Sequence, residues 1–208
     1  MNALTALYSQ LSNEIQQHST RVSVCAGIMA KYATSNLQAE YSLSEKELTE
    51  AICTGCLYHD IGRLFFPPLV LLSQNDAGNL LEVITHLHPI SGRALIEKFS
   101  RSCFPNNRYI RVVADIVLYH HERYDGSGYP YALLAKDIPS SAELCAVANK
   151  FDKLYGIFGA KKDYGFEFVA EMIKEQSERC FTAESIEWFT AAKDELSAFY
   201  LLQDKKAG

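Results

Sequence analysis

Residues 119–130 read YHHERYDGSGYP: two adjacent histidines, then a glycine-rich turn closed by Tyr-Pro. The chain holds only six histidines, so the pairing of His120 with His121 just ahead of a tight loop asks for a reason. Neighbouring side chains on a helix point about 100° apart. That is too wide for one core-facing stripe, yet close enough for both rings to reach one cavity. The residues before the pair, NRYIRVVADIVLYHH, carry the spacing of a strongly amphipathic helix. The residues after it, 122–139, contain Gly126, Gly128, Pro130 and Pro139 and predict the longest loop of the chain.

Outward from that helix, the pattern stays helical. A helix is expected from about Asn13 to Lys31, with Ile15, Val22, Ala26 and Met29 at helical spacing. Ser44 and Glu47 form a capping box that opens another, running through LTEAICTGCLYHD to Asp60. A short helix is expected near NLLEVITHL, and Pro89 is expected to interrupt the pattern before ISGRALIEKF resumes it. Ser140 and Ser141 are expected to cap a helix through AELCAVANKFDKLYG. Two more, near 163–179 and 183–202, complete the chain, the last with Ile186, Phe189, Leu196 and Phe199 as a packing stripe. No alternating strand pattern competes. The expectation is an all-α fold: one compact bundle of about seven or eight helices over residues 1–208, without an internal boundary.

The 208 residues suffice to bury a core, and 48% hydrophobic with 22% charged residues is ordinary globular composition. A net charge of -5 and a pI near 5.7 argue against a surface for nucleic-acid polymers. No apolar run is long enough to span a membrane, and RLFFPPLVLL is broken by Pro67 and Pro68. The N-terminus lacks the features of a secretory signal, so a cytoplasmic location is expected. Six cysteines fit that compartment as small buried hydrophobes; Cys53 and Cys56 lie inside an apolar helix with no second C-x-x-C, which favours packing over redox or zinc.

The chemistry-bearing residues gather at helix ends. Glu14 and His18 are four apart on one helix face. His59 and Asp60 close the next long helix, His86 and His88 precede Pro89, and His120 and His121 close another. Imidazole with carboxylate, without thiolate, favours Fe, Mn or Zn in an open site over a closed structural zinc. Each pair alone reads more often as a helix contact or a core histidine. Their number and their shared position near helix termini carry the weight.

In this order the pieces resemble the HD-GYP domain, the helical subgroup of the HD metal-dependent phosphohydrolases: EIQQHS at 14–19, HDIGR at 59–63, HP at 88–89, HHERYDGSGYP at 120–130 and VANKFDKL at 147–154. The resemblance spans roughly residues 10–175. It implies two or three divalent metal ions, iron or manganese before zinc, and hydrolysis of cyclic di-GMP to linear pGpG or GMP. It implies that His18, His59 and Asp60 bind one metal and that Asp60 bridges to a second held by His88, His120 and His121. Glu14 stands where some members help bind a third. Asp60 and Arg63 would be catalytic. Arg63, Asp125, Gly126, Gly128, Tyr129 and Lys161 would lie against substrate. His86 has no matching role, so packing or hydrogen bonding is expected of it.

Three departures matter. Arg63 replaces the lysine of "HDIGK", keeping a cation. Asn149 replaces the metal-binding aspartate of the family's "vaD-x-FDAL" segment, and a neutral amide is a poorer ligand than a carboxylate. Asp152 survives at that segment's second aspartate, but it is not an obvious replacement. FGAK at 158–161 stands where an "RPYR"-like stretch helps hold the bases, with Phe158 at the first arginine and Lys161 at the second. An active cyclic di-GMP phosphodiesterase is expected. The alternatives are a catalytically impaired member that binds nucleotide or a signalling-protein partner, and an enzyme for another cyclic dinucleotide. Regulatory input is expected from a partner or from sequence beyond these residues.

Overall fold

The computed structural model of the chain describes residues 3–65, 85–159 and 164–207. Among them run ten α-helices: α1 (Ala3–Tyr8), α2 (Asn13–Ala30), α3 (Thr34–Tyr41), α4 (Glu45–Tyr58), α5 (His88–Cys103), α6 (Asn107–Tyr119), α7 (Ser140–Leu154), α8 (Gly165–Lys174), α9 (Ala183–Ala191) and α10 (Lys193–Ala207). A 3-10 turn (Ile61–Phe65) follows α4, and a π-helical turn (Tyr155–Gly159) follows α7. There is no strand among the described residues, only isolated bridges such as Asp125 with Leu134. The all-α expectation holds. Short α1 and α3, and a break at Ala192 that divides the expected last helix, bring the count to ten.

The core forms where the apolar stripes meet. α6 turns Val112, Val113, Ile116 and Val117 fully inward and packs against α4, α5 and α7, while α2 crosses α4 and α7. The helix starts are written locally. Ser44 accepts from Glu47 N while the Glu47 carboxylate accepts from Ser44 N, the expected capping box, and Asn106 Oδ1 accepts from Tyr109 N to begin α6. Each such cap contributes about 1 kcal/mol.

Two helix starts correct the sequence reading. Pro89 does not interrupt a helix; it is the second residue of α5, where an N–H would have no partner in the helix anyway. Ser140 and Ser141 do not cap α7. Pro139 occupies the cap position, Ser140 N donates to Glu40 Oε2, and the Ser141 hydroxyl pairs with Tyr41 Oη. α4 ends at Tyr58, so His59 and Asp60 sit in the turn beyond it. The helix expected near NLLEVITHL lies mostly outside the described residues. All six cysteines are free, and Cys25, Cys56, Cys145 and Cys180 are buried, as packing requires. No described helix is long and apolar enough to cross a membrane.

Candidate metal centre

The ends of three helices and the second turn of α2 converge on one buried point. His59 and Asp60 follow α4, His88 opens α5, His120 and His121 close α6, and α2 brings His18. Gly62 makes the convergence feasible: a Cβ there would strike the backbone of His88 and Gly92, so only glycine lets the turn after Asp60 lie against the start of α5. His59, Asp60, His88 and His120 are all buried.

Three of these rings are fixed the same way. Nδ1 of His59 lies 2.7 Å from Cys56 O, that of His88 2.5 Å from Thr85 O, and that of His120 3.1 Å from Val117 O. A carbonyl oxygen only accepts, so each Nδ1 carries the proton and each Nε2 presents a bare lone pair. Those lone pairs face one another and Asp60. His88 Nε2 is 3.2 Å from His120 Nε2 and 3.0 Å from Asp60 Oδ1, while His59 Nε2 is 3.6 Å from Asp60 Oδ2. His59 Nε2, His121 Nε2 and Asp60 Oδ1 are buried without a hydrogen bond. Arg63 Nε approaches Asp60 Oδ1 to 2.8 Å, again without forming one.

Acceptor facing acceptor is unfavourable unless a cation lies between them, and so the donor set fits a metal. Two sets of ligand atoms lie mutually within 4.8 Å: Asp60 with His88, His120 and His121, and Asp60 with His18 and His59. Asp60 belongs to both. The protonation states agree with this. Burial pushes His59 down to about 4 and, reinforced by neighbouring histidines, holds His120 and His121 well below the ordinary imidazole range. Burial alone would raise the Asp60 carboxyl. His59, His88 and Arg63 outweigh it and hold the group well below its usual value. Neutral imidazoles and an ionised carboxylate are the forms that bind a divalent ion.

His18 is held differently. Its Nδ1 lies 2.7 Å from Asp152 Oδ2 and its Nε2 lies 3.0 Å from Asn149 Oδ1. Asp152, buried, also accepts from Arg21 at 2.7 and 2.9 Å and from Tyr200 Oη at 3.0 Å. Burial pulls this carboxyl upward, but His18 and Arg21 win and keep it low. Sequence reasoning saw Asp152 only as a poor substitute for the missing ligand. It sits on the far nitrogen of His18, where it orients the ring. With Nδ1 committed to Asp152, His18 Nε2 and the Asn149 oxygen both accept. A cation or proton between them resolves the clash, as does turning the amide so that its NH₂ donates to the ring.

A cavity of about 410 Å³ opens beside the centre, lined by His86, His120, His121, Arg123, Tyr129, Asn149, Lys150 and Lys153 among others. Tyr129 lies between two imidazoles, its ring centroid 4.6 Å from that of His121 and 3.9 Å from that of His86; this gives His86 its packing role. Glu122 fastens the loop by accepting from Tyr131 N and Leu133 N. The structure brings His18, His59, Asp60, His88, His120, His121 and Asn149 together and sets Arg63 and Tyr129 beside them. Gly128 lines the cavity, but Asp125 and Gly126 do not. The Asp125 carboxylate is spent on Ser127 N and Oγ, and Gly126 (φ +75°) turns the loop toward Leu134. Glu14 is exposed on the first turn of α2, outside both ligand sets. Lys161 lies outside the described residues. The roles of Arg21, Glu122 and Lys153 were not read from the sequence, although Glu122 and Lys153 lie within the HHERYDGSGYP and VANKFDKL stretches.

The HD domain family matches residues 6–181. The cyclic di-GMP phosphodiesterase response regulator RpfG of Xanthomonas campestris is 32% identical over 167 residues, covering 80% of this chain and 40% of its own length. The 3'3'-cGAMP-specific phosphodiesterase 2 of Vibrio cholerae is 29% identical over 170 residues, covering 82% of this chain and 30% of its own. The chain thus spans less than half the length of these two relatives. Among solved structures, the HD domain of L. monocytogenes phosphodiesterase PgpH in complex with cyclic-di-AMP shares the fold, with a TM-score of 0.58 at 15% identity over 96% of this chain and 97% of that one. The chain belongs to the HD-domain family and, with its Gly-Tyr-Pro loop set against the histidine cluster, to the HD-GYP group of metal-dependent phosphohydrolases.

Proposed function

We propose that this chain is a metal-dependent cyclic dinucleotide phosphodiesterase that opens cyclic di-GMP to linear pGpG or GMP. The observation that carries this reading is Asp60, a buried carboxylate shared by two sets of ligand atoms, in which the Nε2 atoms of His59 and His121 are buried without a hydrogen bond. Asp60, His88, His120 and His121 would hold one ion, and His18, His59, Asp60 and Asn149 a second. Iron or manganese suits this imidazole-rich set. Glu14, one turn from His18 toward solvent, would contribute to a third ion only after a change of rotamer. When bound, the ions supply Lewis acidity and an activated water for attack on phosphorus.

The rest is the work of the chain. Arg63 brings a planar, permanently charged donor group to the edge of the centre, where a phosphate oxygen accepts from it. Arg123 and Lys150 add positive charge along the cavity wall, which suits a dianionic substrate despite the acidic protein as a whole. The Gly128–Tyr129 segment borders the same space, and Tyr129 fixes the His121 ring by stacking. Asp125 and Gly126 would act one step back, shaping the loop. Lys161 and Phe158 occupy the segment that in the family meets the bases, so they bear on base choice.

The deciding experiment is hydrolysis by anaerobically purified protein supplied separately with Fe(II) and Mn(II), with cyclic di-GMP, 3'3'-cGAMP and cyclic di-AMP as substrates and products resolved by chromatography. Metal-dependent linear dinucleotide or mononucleotide is the expected outcome, with cyclic di-GMP turned over fastest. Folded protein that yields no product with either metal would overturn the enzyme reading. One observation favours a second reading, an impaired member that binds nucleotide or a signalling partner: the Asn149 amide, when turned, caps His18 Nε2 and competes with the metal. That reading predicts tight nucleotide binding without turnover.

A further inference from the structure

One face of α7 forms the cavity wall. Ala146, Asn149, Lys150 and Lys153 all line it, at the three- and four-residue spacing that places side chains on one side of a helix. The other side carries Asp152 with its partners His18, Arg21 and Tyr200. Two residues of the cavity face depart from the motif in the same electrical direction. Asn149 removes a negative charge where the motif has aspartate, and Lys153 adds a positive one a single turn on, where the motif has alanine.

Lys153 is exposed to the cavity, and among the described residues no carboxylate lies within ion-pair distance of it. It stands one helical turn from Asn149, whose Oδ1 lies 3.0 Å from His18 Nε2, and on the same cavity face as Lys150. A lysine placed for solubility would point to bulk water, away from this face.

We propose that Lys153 is a phosphate-binding residue of this site, holding a non-bridging phosphate oxygen on the side where Asn149 leaves the metal position weak. The proposal rests on the phosphodiesterase reading for its substrate. A compact ammonium with three donors suits a phosphate oxygen. Placing it there has a consequence a structural lysine would not have: the same charge repels a divalent ion at the His18–His59 position. The chain thus trades metal affinity at that position for a fixed cation on the substrate.

The test uses the wild-type chain, K153M and K153R, with three probes: Mn(II) alone, inorganic phosphate on the Mn(II)-loaded protein, and a phosphorothioate analogue of cyclic di-GMP that resists hydrolysis. In K153M the weaker Mn(II) position is expected to tighten roughly three- to tenfold, while phosphate and the analogue each bind about tenfold more weakly. K153R is expected to restore phosphate binding. Unchanged or weaker Mn(II) binding in K153M would overturn the placement of the ammonium, and phosphate affinity equal to wild type would overturn its role. Wild-type protein that binds phosphate through Lys153 but ignores every cyclic dinucleotide would uphold this inference and defeat the cyclic dinucleotide reading.

Discussion

His120 and His18 offer the same atom, Nε2, in the two ligand sets that share Asp60, and they are held there by opposite means. The backbone positions His120, through the carbonyls of its own helix, and His59 and His88 follow suit. Side chains alone position His18, with Asp152 on one nitrogen and Asn149 against the other. A ring pinned to carbonyls takes its orientation once the helix forms, whatever the neighbouring side chains are. A ring pinned by side chains changes with each substitution among them. The difference divides the centre into a half held by backbone at His88 and His120 and a half made adjustable by His18. Of the two departures that alter its charge, Asn149 falls on the adjustable half, while Lys153 lines the cavity with residues of both.

The broadest challenge to this division is Asp60→Asn, which touches both halves. It should cut metal-dependent hydrolysis at least about a hundredfold and strip both ions, as read by Mn(II) uptake. Asp152→Asn separates the halves. The His18-side ion should weaken by between about 10- and 100-fold, while the ion at His88, His120 and His121 stays within about twofold. Equal loss at both positions would break the comparison. Asn149→Asp runs the other way. It should tighten the His18-side ion about tenfold and raise turnover, and an unchanged rate would mean that this position does not limit the chemistry.

The smallest effect on the centre is expected from Glu143→Gln, on the first turns of α7 and away from both ligand sets. Metal binding should not move, but stability should. Burial, aided by Glu184 and Glu40 and opposed by the Thr182 hydroxyl, raises the Glu143 carboxyl to about 7 from an ordinary 4.5. Between those values the folded chain keeps a proton that the unfolded chain has released, so stability falls as pH rises through that window, by up to about 3 kcal/mol. The variant lacks this titration. Denaturant melts at pH 5 and pH 8 should show wild type losing stability relative to Glu143→Gln. A constant difference would contradict the buried, protonated state.

The helical fold was legible because it depends on spacing: the α6 stripe and the Ser44 box follow from local pattern, while the candidate ligand set came from the family resemblance of the histidine motifs. What was not legible depends on direction. Glu14 and His18 share a face, as their spacing requires, yet one turn carries Glu14 out to solvent. Pro89 starts α5 because the chain turns there, which composition does not reveal. The role of Asp152 is decided by which nitrogen of His18 it meets, a property of how α2 crosses α7. Lys153 became meaningful only once the Ala146–Lys153 stripe was seen to face the cavity. His86 and Tyr129, forty-three residues apart in the chain, stack only because the loop after α6 folds back over the start of α5.

Asp152 gathers donors from two helices: His18 and Arg21 come from α2, and Tyr200 from α10. Two hydrogen bonds therefore join the C-terminal helix to His18 Nδ1, the nitrogen opposite its ligand atom: Tyr200 to Asp152, and His18 to Asp152. Mechanically this is a short lever. A force that lifts α10 from α2 withdraws a donor from the carboxylate that aims His18, and it does so on the adjustable half alone. The C-terminal helix is in this sense a dial on the orientation of His18.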